Sequence, residues 1–412
     1  MAAASLAAVV GGVAYAQHFD ASRPRTFVVG PRHGGSPGDR VDWGRSGLAR
    51  SPLPTHGLVV QWRRGLGPAI ESAPVVDEAG AISVLVGRGD VVTLSADGAE
   101  RARAITGAPQ GGPLALLSDG TVVFVSATGE AVGVKRGVVR FRTRIGHSDT
   151  AATPFAPIAL EDGGAVVATL LDLAVIDADG EVRARASLKE ALGAPLVSAQ
   201  GKVIAVAASG TVYAWSLGGE PVRIGGFGGP IDAAAGLADD HTLVAVSANG
   251  QRFDALDLVR GVTVTRASAP LGFFLGPPAM NGETAHLIAY TDTNSFAITL
   301  DATGHELSRA ILASTPMQLS PDGGTTALAI PPHAGVLVDL AGSTAFMAPD
   351  GSVGVVSPNG SVDTLGEFLC ATNATTSTTR GQIANLVPAG QGSFLVACAG
   401  GTLAKVSAAK QL

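Results

Sequence analysis

Ala73 to Arg103 reads A-P-V-V-D-E-A-G-A-I-S-V-L-V-G-R-G-D-V-V-T-L-S-A-D-G-A-E-R-A-R. Four short strands can be read from it: Val75-Val76 after a proline, Ile82 to Val86, Val91 to Ser95, and a charged strand from Glu100 to Arg103. A D-x-x-G turn, a Gly-rich turn and Ala96-Asp97-Gly98 separate them. β-Branched runs punctuated by Gly and Asp at this spacing predict an antiparallel meander rather than a helix.

The unit recurs. A small residue plus proline opens most copies: Ala73-Pro74, Gly112-Pro113, Ala156-Pro157, Ala194-Pro195, Gly229-Pro230, Gly276-Pro277 and Thr315-Pro316. The first turn repeats at Gly80, Gly120, Gly163, Gly201, Asp240, Gly282, Gly323 and Gly392. The interval after Gly323 is longer, and holds Asp350-Gly351 and a Thr/Ser-rich insertion from Ala371 to Thr379. A period of about 40 residues with four strands each predicts an all-β fold, a β-propeller of four-stranded antiparallel blades. The turns predict eight blades; merging irregular units near the end gives seven.

One four-stranded sheet cannot cover both of its apolar faces, so radial stacking must do so. Runs apolar on both sides, such as Val203 to Ala207 and Leu243 to Val246, fit burial between neighbours. Outer strands carry Arg140, Arg142, Arg144, Arg183 and Arg185, as exposed edges should. The last unit, Ser393 to Ser407, supplies about three strands, and Val59 to Arg64 resembles the fourth strand of other units. The N-terminal strand is therefore expected to complete the C-terminal blade.

Three segments follow: 1–16, an apolar run ending Ala14-Tyr15-Ala16; 17–57, a lead-in rich in Arg, Gly and Pro; and 58–412, a single propeller domain. Small residues at the last and third-last positions predict an export signal cleaved between Ala16 and Gln17, although no Lys or Arg precedes the run. Export implies a periplasmic or extracellular place in a bacterial envelope. No later run reaches the roughly 18 apolar residues of a membrane-spanning helix. With 28 basic and 34 acidic residues, net charge −6, and no basic block, a nucleic-acid partner is not expected. Cys370 and Cys398 either form one disulfide in an oxidising compartment or sit as two buried small apolar side chains.

No catalytic, cofactor or metal set emerges. Gly34-Gly35-Ser36-Pro37-Gly38 matches G-x-S-x-G but lacks the strand before and helix after that a nucleophile elbow needs. Asp177-Ala178-Asp179-Gly180-Glu181 starts like a calcium loop without its remaining ligands, and reads as a turn. Asp239-Asp240-His241 reads as a polar turn, and His147 with Asp149 as a solvated loop. His286, His305 and His333 have no Ser or Cys partner at diagnostic spacing.

Several stretches resemble the PQQ-like, quinoprotein-type β-propeller repeats. Asp42-Trp43-Gly44-Arg45-Ser46-Gly47, Arg50-Ser51-Pro52 and Val60-Gln61-Trp62 look like that family's opening segment and first Trp-bearing strand. Ile70 to Val76 looks like its I-x-S-x-P-V-V blade start, and Ile176 to Glu181 and Leu300 to Glu306 echo its third-to-fourth strand motif. The departures concern function. Phe141, Ala102 and Ala184 stand where docking tryptophans are expected, and there is neither an adjacent cysteine pair nor a recognisable calcium set. With these departures the resemblance implies a non-canonical member without a cofactor. A repeat scaffold lacking catalytic groups, behind an export signal, is expected to be an exported, non-catalytic scaffold binding a protein or small ligand at its rim loops or central channel. Alternatives are a quinoprotein-like oxidoreductase and an outer-membrane assembly scaffold, the latter without the lipidated cysteine usual there.

Overall fold

The structure is a computed structural model. It describes residues 36–409 apart from 88, 109–110, 147–154, 233–234, 270–271, 283, 292–293, 314–334, 349–351, 367–368 and 371–382. Eight antiparallel four-stranded sheets, one with an added parallel strand, form the blades of a closed propeller. Blade 1 is Val75–Val76, Ile82–Val86, Asp90–Leu94 and Glu100–Ala104, close to the meander read from the sequence. Blades 2 to 5 run from Ala115–Leu116 to Val138–Arg144, from Ile158–Ala159 to Val182–Ser187, from Val197–Ala199 to Val222–Gly226, and from Gly236–Asp239 to Val262–Ser268. Blade 6 runs from Gly272–Asn281 to Glu306–Ala313, and blade 7 from Leu337–Asp339 to Val362–Thr364.

Blade 8 joins the two parts of the chain. Leu58–Gly65 pairs antiparallel with Thr402–Ala408, outside Ser393–Cys398 and Ile383–Gly390. The expected closure is present.

Burial follows blade position. The second strands of blades 1 to 3 are buried along their whole length, because each face lies against a neighbour. Burying one such Val or Leu contributes about 1.5–3 kcal/mol. Fourth strands are largely exposed, as in Glu100–Ala104 and Val138–Arg144. Their arginines do more than shield an edge. Arg103 reaches the Leu66 carbonyl of blade 8 at 3.3 Å, Arg142 the Thr106 carbonyl beyond blade 1, and Arg185 the Arg144 carbonyl of blade 2 at 2.9 Å. Each guanidinium thus ties its blade to the preceding one.

The first turns hold their shape through an aspartate. Asp77 Oδ1 accepts the Ala81 amide at 2.7 Å, and Asp339 Oδ1 the Ser343 amide at 2.8 Å. The latter marks a difference from the sequence reading. The first turn of blade 7 is Asp339 to Ser343, with Gly342 at positive φ, whereas Gly323 lies outside the described residues. Asp350-Gly351 and Ala371–Thr379 lie outside them as well. Cys370, after the last strand of blade 7, is disulfide-bonded to Cys398 in blade 8, with Cα atoms 5.4 Å apart.

Candidate functional site

Residues 36–49, inside the stretch read as an extended lead-in, wind around the propeller axis. Their carbonyls meet the first strands in blade order. Ser36 O accepts from Val76 N at 2.8 Å, Pro37 O from Leu116 N at 2.7 Å, Trp43 O from Ser198 N at 2.8 Å, and Gly44 O from Leu237 N at 2.7 Å. Ser46 O accepts from Met280 N at 2.8 Å and Gly47 O from Val338 N at 3.0 Å, after which Leu48–Ala49 adds a parallel strand to blade 7. Blades 1, 2, 4, 5, 6 and 7 therefore each have one inner-edge amide capped by this segment. Such amides have no ladder partner within their own sheets, and leaving a buried one unpaired is costly.

Inner-edge carbonyls are met by two arginines. Arg45, completely buried, donates from Nε to Leu196 O (3.1 Å) and from Nη2 to Ala156 O (3.2 Å) and Pro157 O (3.1 Å). Its Nη1 donates to Asp39 O at 2.8 Å, and Arg40 Nη2 to Pro278 O. Burial pushes Arg40 down to about 10, partly offset by Asp39 and Asp42, and lowers Arg45 for the same reason. Asp42 folds the segment by accepting the Ser46 amide at 3.0 Å and the Ser46 hydroxyl at 2.5 Å. The approach is close: a Cβ at Gly236 would stand 2.4 Å from Arg45 O. The chain itself thus takes these inner-edge groups at this level.

The other sequence candidates are dispersed. Ser36 is buried, with its hydroxyl directed to Gly38 O at 3.4 Å, and Gly34 and Gly35 lie outside the described residues. Asp177 Oδ1 is occupied by the Asp179 and Glu181 amides at 3.0 and 2.9 Å, the geometry of a turn. His241 lies on an exposed turn beside Gln200 of blade 4. Among the described residues no group of three His, Cys, Asp or Glu could hold a metal. Asp301 Oδ1 accepts the His305 amide in a turn, while His147, Asp149 and His333, like Ala16 and Gln17, lie outside the described residues.

His286 of blade 6 is buried among Thr284, Thr299 and Thr344, the last in blade 7 at 2.8 Å from Nδ1. Desolvation lowers its pKa to about 4 against a smaller opposing effect of Asp339, so it is a neutral seam residue. A cluster missed by the sequence reading is Glu190, which accepts hydroxyls from Ser209, Tyr213 (2.7 Å) and Thr211 (3.4 Å). The Ser209 hydrogen bond foremost lowers its pKa, which makes it a poorer base. Scattered positions with no shared motif gave this cluster no sequence signal.

Comparison with known proteins adds the fold. No protein-family model matches the chain, and no curated protein does. BamB from Moraxella catarrhalis is similar in structure, with a TM-score of 0.58 and 14% identity, over 87% of this chain and 99% of that one. The computationally designed Ika8 protein gives 0.60 and 14%, over 87% and 100%. Virginiamycin B lyase from Staphylococcus aureus is looser, at 0.45 and 11%, over 85% and 100%. What BamB and the Ika8 protein share with the chain is the propeller. No helix among the described residues is long and apolar enough to cross a membrane.

Two outcomes follow from the axial geometry. Arg45→Met strips donors from four carbonyls and should lower stability to denaturant by about 3–5 kcal/mol. Arg45→Lys should recover less than half, because a single ammonium cannot serve three directions; an unchanged midpoint for either variant contradicts the role. For His286, the folded pKa lies below the unfolded one. Its contribution is therefore complete above about pH 6.5 and falls by about 3 kcal/mol as pH drops through 4. Denaturation from pH 7 to 4 should show this loss, shallower in His286→Gln; identical pH profiles contradict it.

Proposed function

We propose that this chain is an exported, non-catalytic propeller of the PQQ-like type that serves as a binding scaffold in the cell envelope. The observation that carries the reading is the axial segment: residues 36–47 take an inner-edge amide from each of six blades and, through Arg40 and Arg45, carbonyls of blades 3, 4 and 6. Recognition then falls to rim loops and outer strands, where function on a repeat scaffold is normally grafted. The fold likeness to BamB and the family resemblance of residues 42–47 support a protein partner, with outer-membrane assembly as the finer reading. Ser36, its hydroxyl turned to the Gly38 carbonyl, and His286, buried in the blade 6–blade 7 seam, support the non-catalytic part.

The test is affinity purification of the full chain from the envelope fraction of its source bacterium, with a PQQ titration followed by absorbance. Stoichiometric recovery of an outer-membrane barrel component and an unperturbed quinone spectrum are expected. Saturable quinone binding or reproducible substrate turnover overturns the proposal.

A further inference from the structure

The seams between blades are not equivalent. In blades 8 and 2 a bulge in the fourth strand is followed by an aromatic residue, Trp62 or Phe141. Each ring covers a turn glycine of the next blade: a Cβ at Gly98 would lie 2.7 Å from the Trp62 ring, and one at Gly180 2.4 Å from Phe141. Trp62 Nε1 also donates to Ala96 O at 3.1 Å. In blade 5 the residue after the bulge is Ala267, and it is the backbone of Arg266 that lies against the corresponding Gly304. Blade 1 has Ala102 at this position, but there the chains close up, a Cβ at Gly137 coming within 3.0 Å of the Ala102 methyl.

Beside that contact, the described residues of blades 5 and 6 leave a cavity of about 540 Å³, within the range of small-molecule sites. Its apolar wall includes Phe274, Phe296 and Tyr290, and Arg309 is stacked 5.0 Å over Phe296 while paired with Glu306 at 2.6 Å. Arg266 lines the cavity as well, so two arginines and one glutamate border it.

The geometry points to a binding site in the blade 5–blade 6 seam for a small amphipathic anion, an aromatic or branched apolar body bearing one carboxylate, sulfonate or phosphate. The body lies against Phe274 and Phe296. The anionic end meets Arg266 at the solvent side, with Arg309 held over Phe296 by Glu306. The site is independent of the scaffold role proposed above and of the axial segment.

The probe is 1-naphthoate, titrated into the full chain and followed by its fluorescence, with neutral 1-naphthalenemethanol as comparison. Saturable binding near one per chain is expected, about tenfold tighter for the anion. Ala267→Trp should abolish binding by filling the cavity, and Arg266→Met should weaken naphthoate about tenfold while leaving the neutral compound unchanged. Should Ala267→Trp not fold, Arg266→Met still decides. Absence of saturable binding, equal affinity for both compounds, or wild-type naphthoate binding by a folded variant overturns the site.

Discussion

A ring of sheets has an inner edge that stacking cannot hide. Blade faces bury each other, but the first strands turn one row of backbone amides and carbonyls toward the axis, where no ladder reaches them. Here that row is met by a single segment. Six carbonyls of residues 36–47 take six inner-edge amides in turn, and Arg45 takes carbonyls from blades 3 and 4. Two buried guanidinium groups in such a place require compensation, and Asp39 and Asp42 supply negative charge beside them. The propeller is thus organised from its centre as well as through its faces.

Most of the ring could be read from the sequence because faces and turns leave side-chain signatures. β-Branched runs between turn glycines marked the strands of blades 1 to 6, and the unpaired strand at Val59 to Arg64 marked the closure. The axial segment left no such trace. Its hydrogen bonds use backbone carbonyls, which any residue offers, and its chain path has no period. Asp42 to Gly47 resembles the opening segment of PQQ-like repeats, but that likeness does not say where in the ring the segment lies. Blade 7 was obscured for another reason: its D-x-x-G turn at Asp339 follows a long interval, so a search by spacing passed over it.

The seams show how a repeat scaffold acquires individuality. Arg103, Arg142 and Arg185 clamp successive blades on one side of the ring, while the blade 6–blade 7 seam relies on His286, Thr344 and the Asn281 amide donating to Asp339 O at 3.0 Å. Among the described residues, the blade 5–blade 6 seam has neither an arginine clamp of this kind nor a covering ring on Gly304.

The central claim, that the N-terminal segment completes the inner edge, is tested most directly by native-state hydrogen exchange. The amides of Val76, Leu116, Ser198, Leu237, Met280 and Val338 point at carbonyls of that segment. They should exchange as slowly as second-strand amides such as that of Val84, opening only with global unfolding. Exchange of these six at rates typical of free, solvated amides, while the second strands stay protected, would contradict the account.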